Sequence, residues 1–127
     1  MVKPMEDKSI TLTYEVTADK TAERMGSGDM PVLATPAMVA MMENAAMTLA
    51  GDLCADGDTT VGSLINTTHQ RPSAVGATIS VCATLTGHEG RKLTFAIEAK
   101  EGDNVIGVAT HERFIVTRDR FLAKLGK

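Results

Sequence analysis

Aromatic side chains are scarce in this chain of 127 residues, which has three Phe, one Tyr and no Trp. A core must therefore be built from aliphatic side chains and from the eight Met, whose flexible thioethers fill irregular gaps. The hydrophobic content of 43% suffices for one core of ordinary size, so we expect a single domain over residues 1–127.

Four further absences restrict the class of protein. The formal net charge of −3 leaves no excess of Lys and Arg, which excludes a general nucleic-acid surface. No run of about 18 apolar residues occurs, because Glu43 and Asn44 interrupt the longest one, so we expect no membrane span. Cys54 and Cys82 lack metal-ligand spacing, and residues 1–8 lack the apolar core of a signal peptide. These features predict a reduced, cytoplasmic protein.

Alternating apolar and polar residues predict five strands, at 9–17, 61–70, 78–86, 92–100 and 105–117. Turn residues at 87–91 and 101–104 join the last three strands into an antiparallel meander. Residues 18–33 lose all periodicity and contain Gly26, Gly28 and Pro31, which indicates a loop that could cover a site.

One long helix is predicted between the first two strands. Thr35 can cap free N–H groups, Pro36 suits the first helical position, and Gly51 suits the end. Apolar residues occur on all sides of this segment, which is typical of a helix surrounded by protein. We therefore predict an α+β fold in which an antiparallel sheet of about five strands wraps around the apolar helix, the hot-dog arrangement.

Glu43 is an acidic residue inside this apolar helix. A buried carboxylate costs several kcal/mol, on the order of a few at least, unless it is paired, hydrogen-bonded or protonated. Buried carboxylates with specific partners cluster at functional sites, which makes Glu43 a candidate. The alternative is a helix end that reaches solvent.

His69 and Thr35 are the polar groups that could act with Glu43. His69 lies near the end of the second strand, on the face shared by Val61, Ser63, Ile65 and Thr67 if that strand is regular. Its imidazole can take and return a proton near neutral pH. Thr35 and Glu43 are eight positions apart, about 12 Å along a regular helix. They can share a site only if Thr35 lies in a bent loop or if two subunits build the site.

The last strand carries the polar run 110–113, with His111 and Arg113 on one face. Either this run belongs to a site or it is a solvated patch that protects a sheet edge. The acidic residues of the loop before the second strand miss the calcium-loop pattern and are expected to be solvated: Asp52, Asp56 and Asp58.

The order of these residues resembles the hot-dog thioesterases related to fluoroacetyl-CoA thioesterase. The resemblance rests on Thr35 followed after seven residues by Glu43, on Gly62 opening the next strand, on His69, and on the run 110–113. It covers about residues 32–117.

This resemblance implies an acyl-CoA thioesterase that acts as a homodimer or a higher homo-oligomer, with the reaction centre at the subunit interface. It implies Thr35, Glu43 and His69 as the catalytic group, and Gly62 and Arg113 as substrate contacts. No cofactor is implied, because CoA is part of the substrate. His69 would carry the proton, and the residues leave open whether the route is covalent or water-mediated.

Residues 25–31 contain no Phe, whereas the family member selective for fluoroacetyl-CoA has an aromatic lid at the equivalent place. We therefore expect a different acyl group, small or medium in size. Two alternative functions are a hydratase or dehydratase acting on the acyl chain and an acyl-CoA-binding module without turnover.

Overall fold

We describe the protein from a computed structural model, in which residues 8–126 are described. The elements in chain order are strand β1 (Ser9–Glu15), a 3₁₀ turn (Ala18–Lys20), helices α1 (Ala22–Met25) and α2 (Thr35–Gly51), strands β2 (Asp58–His69), β3 (Thr78–Glu89), β4 (Lys92–Glu101) and β5 (Asn104–Thr117), and helix α3 (Arg118–Lys124). The predicted long helix and five strands are therefore confirmed, with changed boundaries.

The strands form one antiparallel sheet in the order β1-β3-β4-β5-β2. The predicted meander of β3, β4 and β5 is confirmed, and its turns are tighter than expected because the strands run further. Gly90 and Gly102 begin these turns with a positive φ of 60° each, a conformation that favours glycine. The ends of the sheet are β1 and β2, so the strand that carries Gly62 and His69 lies at an edge.

Helix α2 packs one face on the sheet. This face is made of Ala, Met and Leu side chains, and the small Ala residues let the helix approach the strands closely. The buried residues of the helix are Ala37, Met38, Met41, Met42, Ala45, Ala46, Leu49 and Ala50. They meet a layer of inward-facing strand residues that includes Ile79, Val81, Leu93 and Phe95.

The expectation that α2 is buried on all sides is wrong for the single chain. A stripe of Pro36, Ala40, Asn44 and Met47 is exposed, and Met47 keeps 44% of its surface in solvent. The reason is geometric, since the sheet covers the helix from one side only. Glu43 lies on the flank between the two faces and is half-buried.

Strand β2 differs from the regular strand that was expected. It begins at Asp58, so Gly62 lies within it and does not open it. A β-bulge between Gly62 and Leu64 inserts Ser63, whose hydroxyl donates to the Glu112 carbonyl at 3.1 Å. The bulge shifts the alternation of side chains by one residue, so Gly62 faces α2. Val61 and Ser63 therefore do not share the face of Ile65, Thr67 and His69, as a regular strand would require.

Helix α3 was not predicted. Its seven residues continue directly from β5, and its first backbone N–H donates to the Gly57 carbonyl at 2.9 Å. Among the helices of residues 8–126, none is long and apolar enough to cross a membrane.

Candidate active site

Thr35 and His69 form a direct side-chain pair. Thr35 Oγ1 lies 2.8 Å from Nδ1 of His69, which joins the start of α2 to the end of β2. The predicted capping role of Thr35 is wrong, because Ala34 is the N-cap residue and no side chain caps this helix. The Thr35 hydroxyl is free of the backbone and instead contacts the imidazole.

The imidazole of His69 is poised to accept a proton. Burial lowers its pKa from the ordinary 6.5, and the Arg71 backbone opposes this shift. His69 is therefore neutral at neutral pH, and its Nδ1 can accept the proton of the Thr35 hydroxyl. In that tautomer the ring proton lies on Nε2, which is buried and has no hydrogen-bond partner among residues 8–126.

A second polar group surrounds Arg113, of which only 6% is exposed. Its Nε donates to Thr60 Oγ1 at 2.8 Å and its Nη2 donates to the Thr60 carbonyl at 3.1 Å. Its Nη1 donates to Nε2 of His111 at 3.2 Å. These three bonds fix the plane of the guanidinium, which is the geometry that makes Arg a rigid recognition element.

His111 is fully buried and is held in one tautomer. Its Nδ1 donates to the Leu64 carbonyl at 2.7 Å, so its Nε2 is the acceptor that faces Arg113. Burial is the largest cause that lowers the pKa of His111, and the charge of Arg113 lowers it further. The alternative of a solvated patch at a sheet edge is wrong for this residue, because β5 lies between β4 and β2.

Glu43, Arg113 and His111 converge on Gly62. A Cβ added to Gly62 would lie 3.0 Å from Oε2 of Glu43, 3.3 Å from Nη1 of Arg113 and 3.3 Å from Cε1 of His111. Glu43 and Arg113 form no ion pair within 4 Å, and both approach the same point above the glycine, which no side chain of residue 62 occupies. The charge of Glu43 opposes the lowering of the Arg113 pKa that burial causes. A carboxylate and a fixed cation thus face one open point.

The structure does not bring all predicted catalytic residues together within one chain. Thr35 and His69 form one group, while Glu43 belongs to the group around Gly62. Thr35 is the first residue of the same helix that carries Glu43, so the two are about 12 Å apart along its axis. A bent loop at Thr35 is therefore excluded.

A cavity of about 260 Å³ opens beside the Thr35–His69 pair. Its wall comes partly from the segment 18–33, which therefore lies beside the Thr35–His69 pair. The cavity is lined by Ala22, Ser27, Val32, Leu33, Thr35, His69, Gln70, Arg71 and Pro72.

Sequence reasoning missed Thr60 and the cavity residues Ala22 and Val32. Thr60 could have been found, because Thr59, Thr60 and Val61 all favour strands and would have extended β2. Ala22 and Val32 lie in a segment without periodicity, which carries no such signal. Among residues 8–126, no three His, Cys, Asp or Glu side chains are grouped as metal ligands.

Comparison with known proteins shows to which family the chain belongs. Residues 16–119 match the family described as fluoroacetyl-CoA-specific thioesterase, FlK. A fluoroacetyl-CoA thioesterase of Streptantibioticus cattleyicolor is 35% identical over 94 residues, which cover 74% of this chain and 68% of that protein.

Solved structures give the same result. A structure of the fluoroacetyl-CoA thioesterase FlK superposes with a TM-score of 0.87 at 30% identity and covers 94% of this chain and 93% of that one. A hot-dog-like protein from Thermanaerovibrio acidaminovorans, 16% identical, superposes with a TM-score of 0.85 over 94% of this chain and 88% of that one, which supports the fold alone. The predicted hot-dog fold is confirmed, and the chain belongs to the fluoroacetyl-CoA-specific thioesterase family.

Proposed function

We propose that this protein hydrolyses acyl-CoA thioesters with Thr35, Glu43 and His69, at a site shared between two copies of the chain. The observation that carries the proposal is the 2.8 Å contact of Thr35 Oγ1 with the neutral His69 imidazole. A hydroxyl and a base at this distance are the arrangement that activates an oxygen nucleophile.

The chemistry follows from the two polar groups. Nδ1 of His69 takes the proton either from Thr35 or from a water that Thr35 orients, so this pair serves both the covalent and the water-mediated route. The open point above Gly62, between the Glu43 carboxylate and the Arg113 guanidinium, receives the reacting end of the substrate. Arg113 there supplies positive charge for the oxygen that becomes an oxyanion.

A dimer through the edge strand β2 would unite the two groups. In an antiparallel pair about a two-fold axis, residues at equal distance from the axis face each other. An axis midway between Ile65 and Asn66 sets Gly62 of one copy opposite His69 of the partner subunit. Glu43 of one copy then lies at the other copy's Thr35–His69 pair, which removes the separation seen within one chain.

The acyl group that we propose is small or medium in size. The cavity beside His69 is about 260 Å³, and its lining includes Ala22, Val32 and Leu33 but no Phe, Tyr or Trp. We assign no fluoroacetyl selectivity. The proposal needs no resident cofactor, and we place the protein in the cytoplasm as one domain, without a nucleic-acid or membrane partner.

Mixing two inactive variants tests the proposal. Free-thiol release is first measured with a panel of acyl-CoAs for wild type, His69→Ala and Glu43→Gln, and both variants should be inactive. A reassorted mixture of the two should regain about a quarter of wild-type activity, because half of the dimers are mixed and each has one intact site. If native mass spectrometry shows that mixed dimers have formed and activity does not recover, the shared site is refuted. If wild type releases no thiol from any acyl-CoA of the panel, the proposed thioesterase activity is refuted.

A further inference from the structure

A second cavity, of about 200 Å³, lies between the end of β5 and helix α3. Its lining has three cationic residues and no acidic one, although the chain as a whole has a net charge of −3. The lining residues are Arg91, Ile115, Val116, Thr117, Arg120, Phe121 and Lys124. We call this the basic cavity.

The cations are placed around the basic cavity by regular structure. Thr117, Arg120, Phe121 and Lys124 recur at the spacing of one helix face, so α3 turns two cations and one ring toward the same space. Arg91 comes from the β3–β4 turn, where its Nη1 donates to the Ile115 carbonyl at 3.0 Å. Its remaining donors are left for another partner.

The charges of the basic cavity lack a counter-ion in the described part of the chain. Between residues 8 and 126, no acidic side chain forms an ion pair with Arg91, Arg120 or Lys124. Three like charges around one space repel each other, and an anion that enters would relieve this repulsion. Arg is suited to bidentate contacts with phosphate, and Lys to point-charge contacts.

The remaining lining of the basic cavity is mostly apolar and includes Ile115, Val116 and the ring of Phe121. Cations that share a cavity with an aromatic ring fit a nucleotide, whose base stacks on the ring while its phosphates meet the cations. At about 200 Å³ the cavity is smaller than the roughly 300–1,000 Å³ that enclose whole ligands, so it would hold one end of a longer molecule.

The basic cavity lies close to the candidate reaction centre. Ile115 follows Arg113 by two residues on β5, about 7 Å along the strand, and both residues face the same side of the sheet. A flexible arm can therefore connect a ligand in the basic cavity with the open point above Gly62.

We propose that the basic cavity binds the phosphate groups at the nucleotide end of acyl-CoA, an inference that rests on the proposed thioesterase function for the other end of the substrate. Arg120 and Lys124 contact the phosphates, and Phe121 lies under the adenine.

A comparison of two substrates tests this assignment. The Arg120→Ala/Lys124→Ala double variant should raise KM for an acyl-CoA about tenfold, since charged hydrogen bonds are lost. It should leave kcat/KM unchanged for the same acyl group on pantetheine, which has no nucleotide. The matched control is Lys100→Ala, which removes one cation at the far end of β4 and should behave as wild type. An unchanged KM for acyl-CoA, or an equal loss with both substrates, overturns the assignment.

Direct binding separates this inference from the proposed function. If wild type hydrolyses neither thioester, the proposed function fails, but calorimetry with adenosine 3′,5′-bisphosphate still tests the basic cavity. Binding by wild type that the double variant loses supports the inference. Absence of binding, or equal binding of inorganic phosphate alone, overturns the nucleotide assignment.

Discussion

Replacing Gly62 with Ala adds one methyl group at the point where Glu43, Arg113 and His111 converge. The φ of Gly62 is not positive, so the backbone accepts Ala without strain. Gly in a strand is destabilising by about 0.5–1 kcal/mol relative to Ala, and this gain offsets part of the cost of moving Glu43 and Arg113, so the free energy of unfolding should change by less than about 1 kcal/mol.

The same methyl group closes the open point of the site. At 3.0 Å from the Glu43 carboxylate and 3.3 Å from the Arg113 guanidinium, it forces both side chains to move by a few tenths of an ångström. Misplacement of reacting groups by about 1 Å costs roughly 10²-fold. Because the methyl group also occupies the space proposed for the substrate, we expect kcat/KM for acyl-CoA hydrolysis to fall about 10- to 100-fold in Gly62→Ala.

Two other glycines serve as controls, with thiol release and urea unfolding measured for each. In Gly87→Ala the nearest atom is Thr94 Cβ at 3.5 Å, an ordinary contact, so activity should be unchanged. In Gly107→Ala the new methyl meets Met38 Sδ and the Thr68 carbonyl oxygen at 2.7 Å each, which should destabilise the fold by about 1–3 kcal/mol. The reasoning is refuted if Gly62→Ala keeps full turnover, or if it loses as much stability as Gly107→Ala.

Three further predictions concern the two polar groups. Thr35→Val removes the hydroxyl at constant shape and should lower kcat at least about 100-fold with little change in stability, whereas Thr35→Ser should retain measurable thiol release. Arg113→Lys cannot keep the three bonds to Thr60 and His111 and should destabilise the protein by about 1–3 kcal/mol in urea unfolding; an unchanged midpoint contradicts the role of these bonds. Because burial lowers the pKa of His111, the unfolded chain binds a proton below pH 6.5 that the native chain does not, so stability should fall there by up to about 1.4 kcal/mol per pH unit for this residue. His111→Gln should have a smaller slope in urea titrations from pH 7 to 5, and an identical slope would show that His111 is not the group.

Much of the fold could be predicted because its signals are local. Neighbouring residues alone produce the alternation in β3, β4 and β5 and place the glycines in their turns. The start of α2 has no side-chain cap, but Pro36 still marked it in the sequence. The fold was predicted correctly from the pattern of strands and helix. The family and the thioesterase class were predicted correctly from a family resemblance that rested on Thr35, Glu43, Gly62, His69 and the run 110–113.

What could not be predicted depends on contacts between distant residues. The Thr35 hydroxyl had a local role available as a helix cap, and only the position of His69 decides that it contacts the imidazole instead. His111 is a polar residue, yet it is fully buried. Burial is possible because the Leu64 carbonyl of β2 and the Arg113 side chain of its own strand hydrogen-bond its imidazole. The exposed stripe of α2 likewise follows from which side the sheet covers, which the composition of the helix does not specify.

The single extra residue in β2 gives this strand two competing alignments with β5. If Ser63 were paired in step with Leu64 and Ile65, it would lie opposite Arg113, and its own side chain would turn toward the helix into the place that Glu43 and Arg113 now face. A chain without Ser63 has no such choice, since its shortened strand pairs evenly and still turns Gly62 inward. The space at the candidate site thus depends on the register between β2 and β5. Insertion or deletion of one residue in β2 can change that register without replacing any side chain of the site.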